Sequence, residues 1–153
     1  MGNQYKPEIK SLLTIHTALL AGQIILLMLF YFLAGNRYNS GNPQLFKTLQ
    51  IVAAILAMSS VTVAFVIFKK KVTELQLSES NLTEKFVLYR AACILKFALI
   101  EGPAVFSIIA YCVFPNASFI VLAVLLIVLF ALQRPTIPML MKDIGVDKED
   151  FFE

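Results

Sequence analysis

The sequence has few of the residues that soluble catalytic and nucleic-acid-binding domains rely on. Only 15% of its 153 residues are charged, tryptophan is absent, histidine occurs once, and glycine and proline occur six times each. An average soluble domain carries about 25% charged residues. This shortage of charge argues against disorder and nucleic-acid binding. The low glycine and proline content excludes a collagen-like or linker-like chain.

Cysteine and histidine are too scarce for the common metal and redox sites. Cys93 and Cys112 lie near opposite ends of one apolar stretch, too far apart for a mutual disulfide, so we expect them to pack as small apolar side chains. The sequence contains no Cys/His metal spacing, no glycine-rich phosphate loop and no nucleophile motif. One histidine also disfavours hydrolytic catalysis and haem ligation by two histidines of one chain. We therefore predict no enzyme activity, cofactor or metal site.

Hydrophobic residues make up 59% of the chain and form four long runs. The runs cover residues 12–33, 49–68, 91–114 and 117–132. At 1.5 Å per residue they reach about 33, 30, 36 and 24 Å, compared with about 30 Å for the hydrocarbon core of a bilayer. An open sheet cannot satisfy its backbone in lipid, and no run alternates like a barrel strand. The pattern predicts an all-α polytopic membrane protein with four transmembrane helices.

The basic residues predict the orientation of these helices. The ends that must share one side are flanked by Lys6, Lys10, Lys69, Lys70, Lys71, Lys85, Arg90, Arg134, Lys142 and Lys148. Only Arg37 and Lys47 lie in the opposite loops. By the positive-inside rule, we expect two hairpins in a bacterial inner membrane with both termini in the cytoplasm. The basic residues match lipid headgroups, so the net charge of +3 requires no nucleic-acid partner.

A cleaved signal peptide is an alternative interpretation of the first run. Lys6 and Lys10 precede the run, and Ala34-Gly35 follows it. The run is longer than the core of a typical signal peptide, which has about 7–15 residues. Cleavage would also leave three helices, with the termini on opposite sides of the membrane. We therefore expect the segment to be retained.

Capping residues and prolines predict the remaining boundaries. Asn81 followed by Glu84 has the form of an N-cap with a glutamate three residues later, so the third helix is expected over 82–114. The two prolines of the 134–138 stretch cannot stay inside a helix and end the fourth one. The stretch 135–153 is predicted to be an amphipathic cytoplasmic tail with a short interfacial helix, ending in acidic, solvated residues.

The first and third runs are weakly similar at an offset of 80 residues. Segment 18–22 reads Ala-Leu-Leu-Ala-Gly, segment 98–102 reads Ala-Leu-Ile-Glu-Gly, and Tyr31 corresponds to Tyr111. A duplication would relate two hairpins by an axis along the membrane normal. Apolar helices also share residues by chance, so the sequence leaves both explanations open.

Glu101 is the one acidic residue within a membrane run and is the main candidate for a functional site. An ionised carboxylate there costs several kcal/mol, so we expect it to be protonated or paired. Pro103 has no N–H and deprives the carbonyl of Leu99 of its helical partner, while Gly102 lets the backbone yield. A carboxyl group beside a freed carbonyl in a broken helix is typical of proton or cation sites.

The alternative is that Glu101 has a structural role. A neutral Glu101 would donate a hydrogen bond to a neighbouring helix and lock the bundle. Candidate acceptors are Ser59, Ser60 and Thr62 in the second run and Gln23 in the first. The sequence does not decide between the two roles.

His16 and Lys96 lie about one turn inside the same ends of the first and third helices. His16 is a candidate proton relay or headgroup contact, and a hydrogen-bonded interfacial histidine is the simpler explanation. Lys96 is expected to extend its side chain to the headgroups.

Residues 97–116 resemble the carboxylate-bearing helix of the proteolipid (c-type) subunits of rotary ATP synthases. Both have an aliphatic run, a glutamate, small residues, an aromatic residue and more aliphatic residues, followed by a loop containing asparagine. The resemblance implies that Glu101 is an ion-binding carboxylate. A looser likeness is to small multidrug exporters, four-helix proteins with one membrane glutamate. The whole chain, ending its last run with Gln133-Arg134-Pro135-Thr136, looks like small four-helix bacterial inner-membrane proteins of unassigned function.

These observations predict a small inner-membrane subunit of a larger complex, in which Glu101 pins an interface or lies beside a proton path. One alternative is a small homo-oligomeric transporter coupled to protons or cations. A second is a membrane anchor that holds a soluble partner through the 69–90 connection. The expected partners are the bilayer and either other membrane subunits or further copies of the chain.

Overall fold

The computed structural model describes residues 6–34 and 42–145, with side chains from Ile9 onward in the first of these segments. These residues form five helices and contain no strand, which confirms the all-α prediction. The helices are α1 (Lys6–Ala34), α2 (Pro43–Leu77), α3 (Leu82–Val113), α4 (Ala117–Leu132) and α5 (Ile137–Ile144).

Three of the helices are long and apolar enough to cross a membrane. The candidate spans are Ile9–Ala34, Pro43–Leu77 and Leu82–Val113. Helix α4 has only 16 residues and is bent by 74° relative to α5, so these two form a fourth span only when taken together. The fold is that of a helical membrane protein with three or four spans, where the sequence predicts four.

Helices α1 and α2 extend beyond the apolar runs that predict them. The runs indicate helices over 12–33 and 49–68, but the helices contain 29 and 35 residues. Helix α2 starts earlier because the Asn42 side chain accepts a hydrogen bond from the backbone N–H of Gln44 at 2.9 Å. It continues past its lysine cluster to Leu77. The lysine, glutamate, glutamine and leucine residues of this extension all favour a helix. The predicted ends of α1 and α2 are therefore wrong, because hydropathy identifies only the apolar part of a helix.

Helices α3 and α4 follow their predicted bounds closely. The Asn81 side chain accepts a hydrogen bond from the backbone N–H of Glu84 at 2.9 Å, which confirms the predicted N-cap. Helix α3 ends one residue before the predicted position, and Phe114 caps it through its backbone N–H. The predicted range of the fourth helix, 117–132, coincides with α4.

Helix α3 is the centre of the bundle. It packs against α1, α2 and α4, and α4 also contacts α1 and α2. Among the described residues α1 and α2 have almost no contact with each other, because α3 lies between them. The two hairpins predicted from the sequence therefore do not pack as separate units. About half of the most apolar stretch of α3 is buried by the other helices, whereas only 11% of the corresponding stretch of α1 is buried.

Aromatic contacts show which residues of neighbouring helices lie at the same depth. The rings of His16 and Phe97 have centroids 5.1 Å apart, and Tyr31 stacks on Tyr111 at 6.4 Å. Helices α1 and α3 are therefore parallel, and residues of α1 lie level with residues of α3 that follow 80 or 81 positions later. The offset of the weak sequence repeat is thus also the structural register of these two helices.

Helix α2 runs antiparallel to α3. Its first turns contact the end of α3, where the rings of Phe46 and Phe114 are 6.3 Å apart. Further along α2, the rings of Phe65 and Phe68 lie beneath the Lys96 ammonium. Helix α4 is also antiparallel to α3.

Helix α5 folds back onto the basic end of the bundle, which we define by Lys69–Lys71 of α2 and Arg90 of α3. It buries Leu140, Met141 and Ile144 against α2 and α3. A short amphipathic helix is therefore present within 135–153, and its apolar side chains pack on protein. The acidic tail predicted after Gly145 lies outside the described residues.

Candidate functional site

The fold brings four of the residues selected from the sequence to one depth. On α2, Ser59 and Ser60 lie between Phe46, which contacts Phe114 of α3, and Phe65, which contacts Lys96 of α3. Because the two helices are antiparallel, these serines are level with Glu101. Ala21 of α1 is level with Glu101 by the register of α1 and α3, and Gln23 is two residues further along. We refer to Gln23, Ser59, Ser60 and Glu101 as the middle layer.

Glu101 lies on the outer flank of α3, on the side of α1. Phe97, one turn earlier on the side of α1, is buried and contacts His16 of that helix, whereas Lys96 faces α2. The Glu101 side chain is half-buried and has no hydrogen bond or ion pair within the described part of the chain. Its carboxyl group is therefore neither enclosed by the bundle nor paired.

Small side chains surround Glu101 on the outer surface of α3. Ala98 and Gly102 are exposed, and a Cβ atom added to Gly102 would meet nothing within 4 Å. Two small residues four positions apart allow a second helix to approach the backbone closely. The surface of α3 next to the carboxyl group is therefore open to another helix.

A surface of small side chains also occurs on α1, away from Glu101. Thr14, Thr17, Ala18 and Ala21 are exposed and, with Leu13, line a shallow depression to which α3 contributes no residue. Ala21 is two positions, or about 200°, from the inward-facing Gln23 and therefore faces away from the bundle. The hydroxyls of Thr14 and Thr17 donate to carbonyls of their own helix at 2.8 Å. We define the Glu101 face as Ala98, Glu101 and Gly102 of α3.

The helix is not broken at Pro103, although the sequence suggested a break. Helix α3 continues through this residue to Val113, with Pro103 buried on its inner side. The Ser107 hydroxyl donates to the Pro103 carbonyl at 2.8 Å. Gly102 is helical and exposed, so neither residue forms an unwound ion site with Glu101.

Gln23 is the most unusual member of the middle layer. Its side chain is 1% exposed, and neither its amide oxygen nor its amide nitrogen has a hydrogen-bond partner among residues 6–34 and 42–145. It faces the inside of the bundle, two turns along α1 from His16. Gln23 is therefore not the acceptor for Glu101 in this structure, and its own polar atoms are buried unpaired.

The serine and threonine side chains of α2 do not pair with Glu101 either. The Ser59 hydroxyl donates to the Ile55 carbonyl of its own helix at 2.7 Å, and the Thr62 hydroxyl donates to the Met58 carbonyl at 2.7 Å. Ser60 is half-buried, without a side-chain hydrogen bond among the described residues. None of the hydrogen bonds by which Glu101 was expected to lock the bundle is formed.

His16 packs against the C-terminal end of α4. It is 2% exposed, stacks on Phe130 with centroids 4.7 Å apart, and its Nε2 lies 3.0 Å from the Phe130 carbonyl. A carbonyl can only accept, so Nε2 carries the proton in this hydrogen bond. The Phe130 carbonyl lies in the last turn of α4 and also accepts a hydrogen bond from the backbone N–H of Gln133 at 3.0 Å, so His16 supplies its second donor. His16 is therefore buried and hydrogen-bonded inside the bundle.

Lys96 is turned into the bundle instead of toward the headgroups. Its side chain is 4% exposed, and its ammonium lies 4.3 Å from the ring centroid of Phe68 and 5.0 Å from that of Phe65. Cation–π attraction of this kind is worth about 2 kcal/mol when the contact is desolvated. These rings come from another helix, so the sequence of α3 alone gave no indication of the contact.

A hydrogen bond at the basic end was not predicted from the sequence. The Tyr89 hydroxyl donates to Oδ2 of Asp143 at 3.0 Å and links α3 to the docked helix α5. Gln76 of α2 donates to the Lys142 carbonyl at 3.2 Å and holds the same helix from the other side. The alternation of apolar residues with Lys142 and Asp143 indicated an amphipathic helix, but not which surface it covers.

The described residues contain no group of three or more His, Cys, Asp or Glu side chains that could hold a metal ion. No protein-family model, curated protein or solved structure matches the chain. The middle layer and the Glu101 face are therefore the features from which a function can be inferred.

Proposed function

We propose that this chain is a multi-pass subunit of a larger complex in a bacterial inner membrane, and that it binds a membrane-embedded helix of another subunit through the Glu101 face. The observation that carries the proposal is the unpaired, half-buried carboxyl group of Glu101 on the outer flank of α3.

An acidic side chain that faces lipid is unfavourable. Placing an aspartate at the centre of a membrane helix costs about 2.5–3.5 kcal/mol on insertion scales, and glutamate belongs to the same class. Charged groups within spans therefore usually face protein or water. A donor from a partner helix would satisfy Glu101, which no described residue of its own chain does.

The shape of the Glu101 face suits a helix. Ala98 and Gly102 leave the surface of α3 low beside the carboxyl group. Helix association in membranes depends on close backbone approach and van der Waals packing, since apolar surfaces are equally well solvated by lipid. A partner helix would gain both close packing and a hydrogen bond or ion pair.

The inner side of the bundle supports an interface role over an internal proton path. His16 is stacked on Phe130 and bonded to its carbonyl, and no described residue offers Gln23 a polar group within hydrogen-bond distance. The space around the middle layer is filled by apolar side chains such as Ala104 and Ala123. A proton path beside Glu101 would have to be completed by groups of the partner.

The distribution of basic residues supports a cytoplasmic location for the basic end. Lys69–Lys71 and Arg90 lie at the same end of the bundle as the docked helix α5. By the positive-inside rule this end faces the cytoplasm, and both termini would then be cytoplasmic.

Native mass spectrometry of the chain extracted from its own membrane in mild detergent tests the proposal. We expect masses that combine the 17.1 kDa chain with a different membrane protein. Ala98→Leu fills the low surface and should reduce the complex about tenfold, corresponding to about 1.4 kcal/mol. Glu101→Gln should reduce it less, because the amide can still form a hydrogen bond.

Two variants serve as matched controls for this experiment. Ala54→Leu makes the same change at an exposed position of α2, and Glu79→Gln makes the same change outside the membrane spans. Both should leave the complex intact. A ladder of copies of this chain alone would favour the homo-oligomeric transporter and lead to measurements of flux against pH in liposomes. Single chains alone, in wild type and variants, would contradict both functions.

A further inference from the structure

A crevice between α2 and α3 opens at the basic end of the bundle. It has a volume of about 240 Å³ and is lined by Lys71, Glu74, Leu75, Ser78, Leu88 and Ala91. It lies on the α2 side of α3, whereas Glu101 lies on the α1 side. The crevice and the Glu101 face are therefore separate surfaces.

The crevice lies at the depth where both helices leave their apolar runs. The lysine cluster 69–71 follows the apolar run of α2, and Arg90 immediately precedes that of α3. Glu74 and Ser78 are about one and two turns beyond Lys71, or about 5 and 10 Å. The polar headgroup layer occupies about this distance on each side of a bilayer.

The charges at the rim have opposite signs. Lys71 is exposed and has no ion pair within the described residues. Glu74 has one contact, with Lys70 at 4.0 Å, in which both side chains are mostly exposed. Such exposed pairs are weak, so Glu74 can exchange this contact for another cation. The rim therefore presents one cationic and one anionic group about one turn apart.

The wall that α3 contributes to the crevice is apolar. Leu88 and Ala91 line it, and exposed Leu95 continues the same surface toward the middle of the membrane. A molecule that fills the crevice would thus have a charged end at the rim and an apolar part along α3. A phospholipid has this construction.

We propose that the crevice binds one phospholipid with a phosphoethanolamine headgroup. Lys71 pairs with the phosphate, Glu74 pairs with the ammonium, and the acyl chains follow Leu88, Ala91 and Leu95. A headgroup that carries only negative charge would place Glu74 against a like charge. The opposite signs at the rim therefore select a zwitterionic lipid over an anionic one.

Native mass spectrometry of the delipidated full chain with added lipids tests this inference independently of any protein partner. The probes are a phosphoethanolamine lipid and a phosphoglycerol lipid with identical acyl chains. We expect one phosphoethanolamine lipid to be retained about threefold more than the phosphoglycerol lipid, the effect of one exposed ion pair. Glu74→Gln should abolish this preference, and Lys71→Ala should reduce the retention of both lipids.

Lys69→Ala is the matched control, because it removes the same charge from the same cluster at a residue that does not line the crevice. It should leave the lipid preference unchanged. Unchanged melting temperatures will show that the variants remain folded. Equal retention of both lipids by the wild type would overturn the proposal. An equal effect of Lys69→Ala and Lys71→Ala would also overturn it, since binding would then depend on general charge alone.

Discussion

In the basic half of the bundle, which runs from the basic end to the middle layer, polar side chains have partners within the bundle, whereas Gln23 and Glu101 of the middle layer have none within the described residues. In this half His16 bonds to the Phe130 carbonyl, the Lys96 ammonium lies over the ring of Phe68, and Tyr89 donates a hydrogen bond to Asp143. In the middle layer neither Gln23 nor Glu101 has a partner within the described chain. Polar groups with internal partners stabilise the fold, whereas unpaired ones cost free energy and require another explanation.

The two unpaired residues also differ from each other. Gln23 points into the bundle, where no second protein can reach it, and Glu101 lies on the outer flank of α3. Only Glu101 can therefore be satisfied by a partner. The unpaired amide of Gln23 therefore lowers the stability of the fold. Substitutions of Gln23 and Glu101 distinguish a group that only destabilises the fold from one that binds a partner.

The largest effect is expected from Phe130→Ala, which removes the aromatic contacts of the basic half. Phe130 is fully buried, stacks on His16 and contacts Phe97 with centroids 5.4 Å apart. Truncation of a buried phenylalanine costs about 3–5 kcal/mol. Thermal unfolding in detergent should show a much lower midpoint. Val128→Ala, at an exposed position of the same helix, should change little, and equal losses in both variants would contradict this packing.

Gln23→Leu should shift stability in the opposite direction. The change removes two buried polar atoms that have no partner, each of which costs about 1–3 kcal/mol, and keeps a side chain of similar size. We expect a higher unfolding midpoint in the same assay. His16→Leu should lower it, because the Phe130 carbonyl loses a donor. A destabilised Gln23→Leu protein would mean that the amide has a partner, such as a buried water molecule.

The smallest effect is expected from Tyr89→Phe at the docked helix. This change removes one hydrogen bond, to Asp143, and should cost about 1 kcal/mol. Hydrogen exchange should then be faster in α5, while the amides of α4 keep their protection. Tyr31→Phe, at the opposite end of the bundle, is the control. Unchanged exchange in α5 would show that this hydrogen bond does not hold the helix.

The sequence predicts the helices well because lipid imposes a simple requirement on them. Apolar runs indicated helices α1 to α4, and Asn81 indicated the start of α3. The ends of α1 and α2 were missed because a helix can continue after its apolar run ends. The central position of α3 was missed because run lengths and loop lengths do not determine which helices are neighbours.

The candidate site could be identified from the sequence only in part. Glu101 was evident as the one carboxyl group within an apolar run. The register of α1 and α3 places it at nearly the same depth as Gln23. Its outward position depends on where α1 packs. The orientation of Lys96 depends on Phe65 and Phe68, more than 25 residues earlier in the chain. Contacts between helices thus decide where each candidate side chain lies.

Site-specific photo-crosslinking in the native membrane tests most directly whether the Glu101 face binds a partner helix. A photoreactive residue at position 98 should yield one protein adduct of constant mass, and the additional change Glu101→Gln should reduce its amount. The same residue at position 55, on the exposed side of α2, should yield no protein adduct. Protein adducts of equal amount from both positions, or none from position 98, would contradict the account.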